Sequence, residues 1–347
     1  MDISARQEWP PAPAVRPTAS TPNWSSHLKV AVLIPCYNEE ETISQVVADF
    51  RTALPGVAVY VYDNNSHDHT KTVAREAGAL VRSERLQGKG HVVRRMFADI
   101  ESDVYILVDG DGTYDAAIAP SMVHKLCEEH LDMVTGVRVT AVNGAFRRGH
   151  RLGNRLLTGI VGQIFGDGIV DMLSGYRVFS RRFVKSFPAL SGGFEIETEF
   201  AVHALEQNMP VGEIQTDYKE RAPGSASKLR TYADGLRILR TILILFKEER
   251  PLMFFGLAGA ALIMLSLAFG MPILIEYLRT HLVPRLPTAL LAAALMLLAF
   301  LCIASGLILD SVTRGRREMK RLAYLSVPET NSDNQAAQAR VPVRRLS

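Results

Sequence analysis

The sequence predicts an α/β domain with a mostly parallel sheet, followed by an amphipathic helix and two membrane-spanning helices. Two observations predict it. From Lys29 onward, short apolar runs alternate with helical patterns, the signature of βαβ units. Toward the C-terminus come two nearly uncharged runs, each longer than the roughly 18 residues needed to cross a bilayer. At 347 residues and 48% hydrophobic, the chain can form one large core with appendages.

Residues 1–27 carry Pro10, Pro11, Pro13, Pro17 and Pro22 among Ala, Ser and Thr, and read as a disordered leader. No apolar stretch follows a basic start, so this is not a secretory signal. Strands are expected at 29–35, 57–63, 79–82, 103–109 and 132–139, inside a domain spanning 28–229. Their apolar continuity suggests a sheet covered on both faces. Helices are expected near 39–53, 67–77, 89–100 and 115–130.

Residues 230–250 form a juxtamembrane segment. Leu236, Leu239, Leu243 and Phe246 recur at helical spacing among Arg237, Arg240 and Lys247, which suits a helix lying in the membrane interface. The region 251–312 holds the two spans, at about 252–275 and 288–309. Basic residues precede the first span and follow the second, while the loop between carries only Arg279 and Arg285, with Glu276. The positive-inside rule then places both ends and the large domain in the cytoplasm. Residues 313–347 read as a basic, largely disordered tail.

Lys+Arg 39 against Asp+Glu 36 gives a net charge of +3, too balanced to indicate a nucleic-acid partner. Cys36, Cys127 and Cys302 are far apart and odd in number; they suggest neither a disulfide framework nor a zinc site.

Ligands of open α/β sheets bind beyond the carboxyl ends of the strands. Pro35, Cys36, Tyr37, Asn38 and Glu39 sit at one such end, Asp63 at a second and Asp109 at a third. Asp109-Gly110-Asp111 puts two carboxylates on a turn after the most apolar strand, a fit for Mg²⁺ or Mn²⁺ shared with substrate phosphates. Such turns also recur for backbone reasons alone. Asp63 is placed to accept from a base or ribose; the other reading of that segment is a capped turn begun by Ser66 or Asp68. No Gly-x-Gly-x-x-Gly follows the first strand, which argues against a dinucleotide enzyme. Gly88-Lys89-Gly90 lacks the spacing of a P-loop.

The ordered series VLIPCYNEEETI, VYDNNSHDHT, LQGKG, Asp109-x-Asp111, DMLSGYRVFSR, GFEIETEF and RAPGSASKL resembles the family-2 inverting glycosyltransferases of GT-A fold. Within them it is most similar to the polyprenyl-phosphate glycosyltransferases, such as bactoprenol glucosyltransferases and dolichyl-phosphate mannose synthases. The resemblance covers about residues 28–310.

It implies that Pro35, Tyr37, Glu39 and Asp63 line a nucleotide pocket beside Lys89, and that Asp109, Gly110 and Asp111 meet the nucleotide-sugar. Asp109 and Asp111 would hold the metal. Asp171, Ser174, Gly175, Tyr176 and Arg177 would form an acceptor-side loop near the sugar, with Asp171 and Arg177 as catalytic candidates. Arg138, Arg147, Arg148, Arg221, Ser227 and Lys228 are candidates to grip phosphates. Glu197 is either a further site residue or a helix-start carboxylate favoured by the helix dipole.

Two departures from the family pattern stand out. The usual Asp-Asp-Gly-Ser is Asp63-Asn64-Asn65-Ser66, and a Gln found two places after the second metal Asp is Thr113.

The expected reaction transfers a hexose from a nucleotide-sugar, UDP-glucose or a UDP-N-acetylhexosamine, to a polyprenyl phosphate at the membrane. GDP-mannose is the alternative donor and a non-catalytic membrane scaffold the alternative class. Family members often form oligomers, so a homo-oligomer is an expectation of the resemblance alone. A processive polysaccharide synthase is disfavoured, because its Gln-x-x-Arg-Trp motif is absent.

Overall fold

The computed structural model describes residues 28–139, 171–219 and 231–328, together with 159 and 162. Strands β1 (Val30–Cys36), β2 (Ala58–Asp63), β3 (Leu80–Ser83), β4 (Val104–Leu107) and β5 (Met133–Val139) alternate with helices α1 (Ile43–Ala53), α2 (Thr70–Glu76), α3 (Lys89–Asp99) and α4 (Ala119–Glu128). Then come β6 (Arg177–Ser180), α5 (Arg181–Ser186), α6 (Ile196–Glu206) and β7 (Val211–Asp217). Three helices close the chain: α7 (Thr231–Glu249), α8 (Pro251–Thr280) and α9 (Leu286–Leu325).

The seven strands form one sheet in the order β3-β2-β1-β4-β6-β5-β7. Every pairing is parallel except those of β6, which runs antiparallel to both β4 and β5. The domain is therefore a GT-A-like, mostly parallel α/β sheet. Strand alternation divides the core in two. Val32, Ile34, Val61 and Ile106 face Val47 and Phe50 of α1 and Met122 of α4. Leu33, Tyr62, Leu107 and Phe179 face Met96 and Phe97 of α3, Phe183 of α5 and Phe200 of α6.

The five strands expected from the sequence are all present. β6 and β7 were not expected. β6 is four residues long and begins with an arginine, so no apolar run announces it; all four residues are nonetheless buried.

α7 presents two apolar faces. Ile242 and Leu245 pack on Met172, Ala201 and Val202 of the α/β domain. Leu239 and Leu243, on the face expected to meet the membrane interface, are exposed.

α8 and α9 are long and apolar enough to cross a membrane. Their shared face repeats every seven residues: Gly259, Ser266 and Ile273 against Ala292, Ala299 and Gly306. Such small residues let helices approach closely; a Cβ on Gly259 would fall 2.8 Å from Ile303 Cγ1. Ser266 Oγ donates to Ala292 O at 2.7 Å. The outer faces leave Leu257, Met264, Leu290, Leu297 and Phe300 exposed, an apolar surface too large for water. The segment from 313, expected as a largely disordered tail, is helical as far as Leu325. The reason is packing: its basic side chains find buried carboxylates.

Candidate active site

The loops after β1, β2 and β4 are stitched together by side chains. Asn38 N donates to Ser66 Oγ, and Asn38 Oδ1 accepts from His67 N at 2.8 Å. Glu39 N donates to Thr70 Oγ1 at 2.8 Å, and Thr42 Oγ1 donates to Gly110 O at 2.6 Å. Gly110 is required by closeness: a Cβ there would lie 2.7 Å from Cys36 Sγ. Pro35 and Tyr37 are half-buried and Glu39 is buried.

Asp63 has no exposed side-chain surface. Its oxygens accept from Ser66 N, and Oδ2 lies 3.1 Å from Lys71 Nζ. The carboxylate closes its own turn. Asn64 explains the first departure from the family pattern. Its Nδ2 donates to Glu84 O and Leu86 O, while Oδ1 accepts from Gly88 N at 2.6 Å. A carboxylate has no donor for those carbonyls. Asn64 thereby fixes the loop leading to Lys89.

Lys89 opens α3 and is the hub of the site. Its Nζ lies 2.5 Å from Asp109 Oδ1 and 2.6 Å from Glu197 Oε1, with only 6% of the side chain exposed. Two close approaches make this possible. A Cβ on Gly88 would lie 2.1 Å from Gly192 O, and one on Gly90 would lie 2.0 Å from Ser191 O. The loop before α6 thus lies against the start of α3 and delivers Glu197. Burial alone would lower the Lys89 pKa, but the two carboxylates outweigh it and hold the ammonium charged. With one cation shared between two acids, burial and then the Asp109 charge keep Glu197 above the usual carboxylate range.

Asp109 keeps 30% of its side chain exposed. Its Oδ2 faces Gly175, where a Cβ would come within 2.2 Å. Tyr114, which sequence reading overlooked although it follows Thr113 directly, accepts from Gly175 N at 2.9 Å and holds that loop over Asp109. Asp111 is buried; its Oδ1 accepts from Thr113 N and from Thr113 Oγ1 at 2.6 Å. Thr113, the second departure, therefore orients the second carboxylate.

Among the described residues, no three His, Cys, Asp or Glu side chains gather as a metal cage. Mg²⁺ typically needs only one or two carboxylates beside waters and substrate phosphates. The exposed part of Asp109 is compatible with that mode, whereas Oδ1 would have to be released by Lys89.

In the 171–177 segment the polar side chains are held by the protein itself. Arg177 has 0% exposure and points inward over the Phe200 ring. It donates to Met172 O at 2.5 Å and to Ser174 O at 3.2 Å. Placed opposite Leu107, it shares the core-facing side of the sheet, and its bonds position the loop. Ser174 is also fully buried and donates to Gly136 O at 2.6 Å, which latches the loop to β5. Asp171 accepts from Arg138 Nε and Nη2, both at 2.7 Å, in a bidentate pair. The Arg138 guanidinium lies over the Tyr218 ring. Tyr176 is buried in the core. Arg147, Arg148, Arg221, Ser227 and Lys228 lie outside the described residues.

The site thus gathers a partly open carboxylate, a buried lysine and an Arg138–Asp171 pair. The family model described as Glycosyl transferase family 2 matches residues 31–187. The glycosyltransferase AglJ of Haloferax volcanii is 34% identical, covering 85% of this chain and 98% of that protein. The dolichyl-phosphate hexose transferase of the same organism is 28% identical over 64% of this chain and 95% of its own length. Glucosyl-3-phosphoglycerate synthase of Mycobacterium tuberculosis, solved with Mn²⁺, uridine diphosphate and phosphoglyceric acid, shares the fold. Its TM-score is 0.54 at 21% identity, over 64% of this chain and 80% of that one. With the sheet, the rim and a relative matched from end to end, the chain belongs to glycosyl transferase family 2 and is a transferase.

Proposed function

We propose that this enzyme transfers a hexose, with inversion, from UDP-glucose or a UDP-N-acetylhexosamine to a polyprenyl phosphate at the cytoplasmic face of a membrane. The observation that carries the reading is the half-open Asp109 beside Lys89, on the rim of a domain that leads directly into an apolar helical hairpin. The dolichyl-phosphate name of one relative supports the acceptor class. The Mn²⁺ and uridine diphosphate of one fold neighbour support the donor class.

The acceptor phosphate is already anionic near neutral pH, since its second pKa is roughly 6. A strong general base is unnecessary. A phosphate oxygen forms the new bond to the anomeric carbon as the bond to the nucleoside diphosphate breaks. A divalent cation held by Asp109 and Asp111 would neutralise the departing diphosphate. Lys89 keeps Asp109 in place through Oδ1 and supplies positive charge beside the leaving group. Gly175 and Tyr114 hold the 171–176 loop against one side of that carboxylate and leave the other side open. Arg138, oriented by Asp171 and Tyr218, is the described cation suited to an acceptor phosphate. These effects are positioning and electrostatic, which are large terms where water is excluded.

The test is to incubate purified protein with polyprenyl phosphate, a divalent cation and a panel of nucleotide-sugars that includes GDP-mannose, then weigh the lipid product. A glycosyl-phosphoryl lipid formed from a UDP-sugar supports the reading. A mannosylated product corrects the donor, and no lipid product with any donor defeats the proposal.

A further inference from the structure

α9 is 40 residues long, about 60 Å at the helical rise, while a bilayer core is roughly 30 Å thick. About half of it therefore projects beyond the apolar part. On that half a single face is bonded to α7 and to the α/β domain at intervals of three or four residues. Thr313 Oγ1 donates to Glu248 O at 2.9 Å. Arg317 Nε lies 3.0 Å from Glu206 Oε1, and its Nη2 donates to Glu249 O. Lys320 Nζ lies 2.8 Å from Glu206 Oε2 and 3.1 Å from Glu249 Oε1. Tyr324 donates to Asp132 Oδ2 at 2.8 Å and packs beneath Arg182, whose Nε donates to Val327 O. The opposite face is bare: Met319 and Leu322 are exposed.

The carboxylates that receive this face are deeply covered, with 3% of the Glu206 side chain and 6% of Glu249 exposed. Two acids buried together need cations, and a buried ion cluster is better suited to fixing one arrangement than to adding stability. The cluster lies at a mechanical junction. Glu249 ends α7, one residue before α8 enters the hairpin. Glu206 ends α6, the helix whose first turn carries Glu197 to Lys89. Asp132 precedes β5 at the amino edge of the sheet, opposite the rim that bears Asp109. Along the helix, Thr313 and Tyr324 are about 16 Å apart. The amino edge is thus held well away from the start of the spans. The seven-residue stripe that packs the hairpin, Ala292, Ala299 and Gly306, continues to Thr313, so span and strut are one rigid rod.

We propose that residues 313–327 form a strut that sets the height and tilt of the catalytic rim over the bilayer, with Arg317 and Lys320 as positioning residues for a membrane-embedded acceptor. This rests on the lipid-phosphate reading above. A lipid phosphate cannot leave the headgroup layer, so the rim must be held at its level; a water-soluble phosphate imposes no such demand.

The test uses the full-length protein in lipid nanodiscs. Rates are measured with a long polyprenyl phosphate in the bilayer and with a short, water-soluble isoprenyl phosphate. The double variant R317M/K320M is expected to lose at least tenfold with the embedded acceptor. It should stay within twofold with the soluble one, and donor KM should be unchanged. Equal loss on both acceptors, or no loss on either, overturns the proposal. If the double variant does not fold, the same comparison is made with Tyr324→Phe, with the same criterion. A second readout needs no catalysis. A tryptophan placed at the exposed Leu190, with Trp9 and Trp24 changed to Phe, reports energy transfer to a dansyl-labelled lipid. A narrow distance distribution in the parent that broadens in the variant supports the strut; identical distributions overturn it. Should the parent act on neither acceptor, the functional reading fails, and the height measurement alone decides the strut.

Discussion

Lys89 and Asp109 are joined by a 2.5 Å ion pair in which the lysine, not the aspartate, is the buried partner. The same ammonium reaches Glu197, so one charge holds the ends of β4, α3 and α6 together. Removing it leaves two carboxylates facing one another in a covered site. Lys89→Met is therefore expected to destabilise the domain by about 3 kcal/mol. Glu197→Gln in the same chain should recover more than half of that, as read by denaturant unfolding. Neither variant should transfer sugar. Full stability in the single variant would contradict the shared-charge description.

The two turn carboxylates should separate by mutation. Asp111→Ala is expected to abolish release of nucleoside diphosphate while the fold and membrane insertion persist. Thr113→Val keeps the carboxylate but removes the hydroxyl that orients it, so its turnover should fall by about tenfold. Normal turnover of Asp111→Ala with Mg²⁺ or Mn²⁺ present would defeat the metal assignment.

Asn64→Asp reverses the departure from the family pattern at that position. The carboxylate cannot donate to Glu84 O or Leu86 O, so one buried and one partly buried carbonyl lose this donor. The expected cost is about 2 kcal/mol, with faster hydrogen exchange in residues 84–88. An unchanged exchange pattern would show that the loop is held by something else.

Arg177→Met tests whether this arginine positions or reacts. Losing its bonds to Met172 O and Ser174 O should loosen residues 171–176 and lower kcat by about tenfold, with donor KM unchanged. A loss beyond a thousandfold, with the loop still protected from exchange, would instead require contact with substrate.

His203 supplies a pH dependence. Burial, aided by Lys320, pushes its pKa down to about 3 from 6.5. Nε2 meets Ser186 Oγ, and Nδ1 has no hydrogen-bond partner among the described residues. Below pH 6.5 the unfolded chain binds a proton that the folded chain refuses. Stability is therefore present above pH 6.5 and is lost as pH falls toward 3, by up to about 1.4 kcal/mol per unit. Because burial raises Glu206 to about 7 and it contributes with the opposite sign, the slope is read as the stability difference between the parent and His203→Leu in thermal unfolding between pH 7.5 and 5. Equal slopes would sink the assignment.

The sequence by itself determined the strand and helix alternation, the apolar hairpin and the placing of Asp63 and Asp109 near one rim. Each is written in local periodicity or at the end of an apolar run, where near neighbours decide burial. Only the tertiary structure decided which way Arg177 points, because in a strand a one-residue change of register turns every side chain to the other face. It also decided the partners that lie far apart in the chain. Lys89 and Glu197 are 108 residues apart, and Glu206 and Lys320 are 114 apart. No local pattern marks such pairs. They meet because β6 enters the sheet antiparallel and α9 folds back along the domain, and these choices are made by packing across the whole chain.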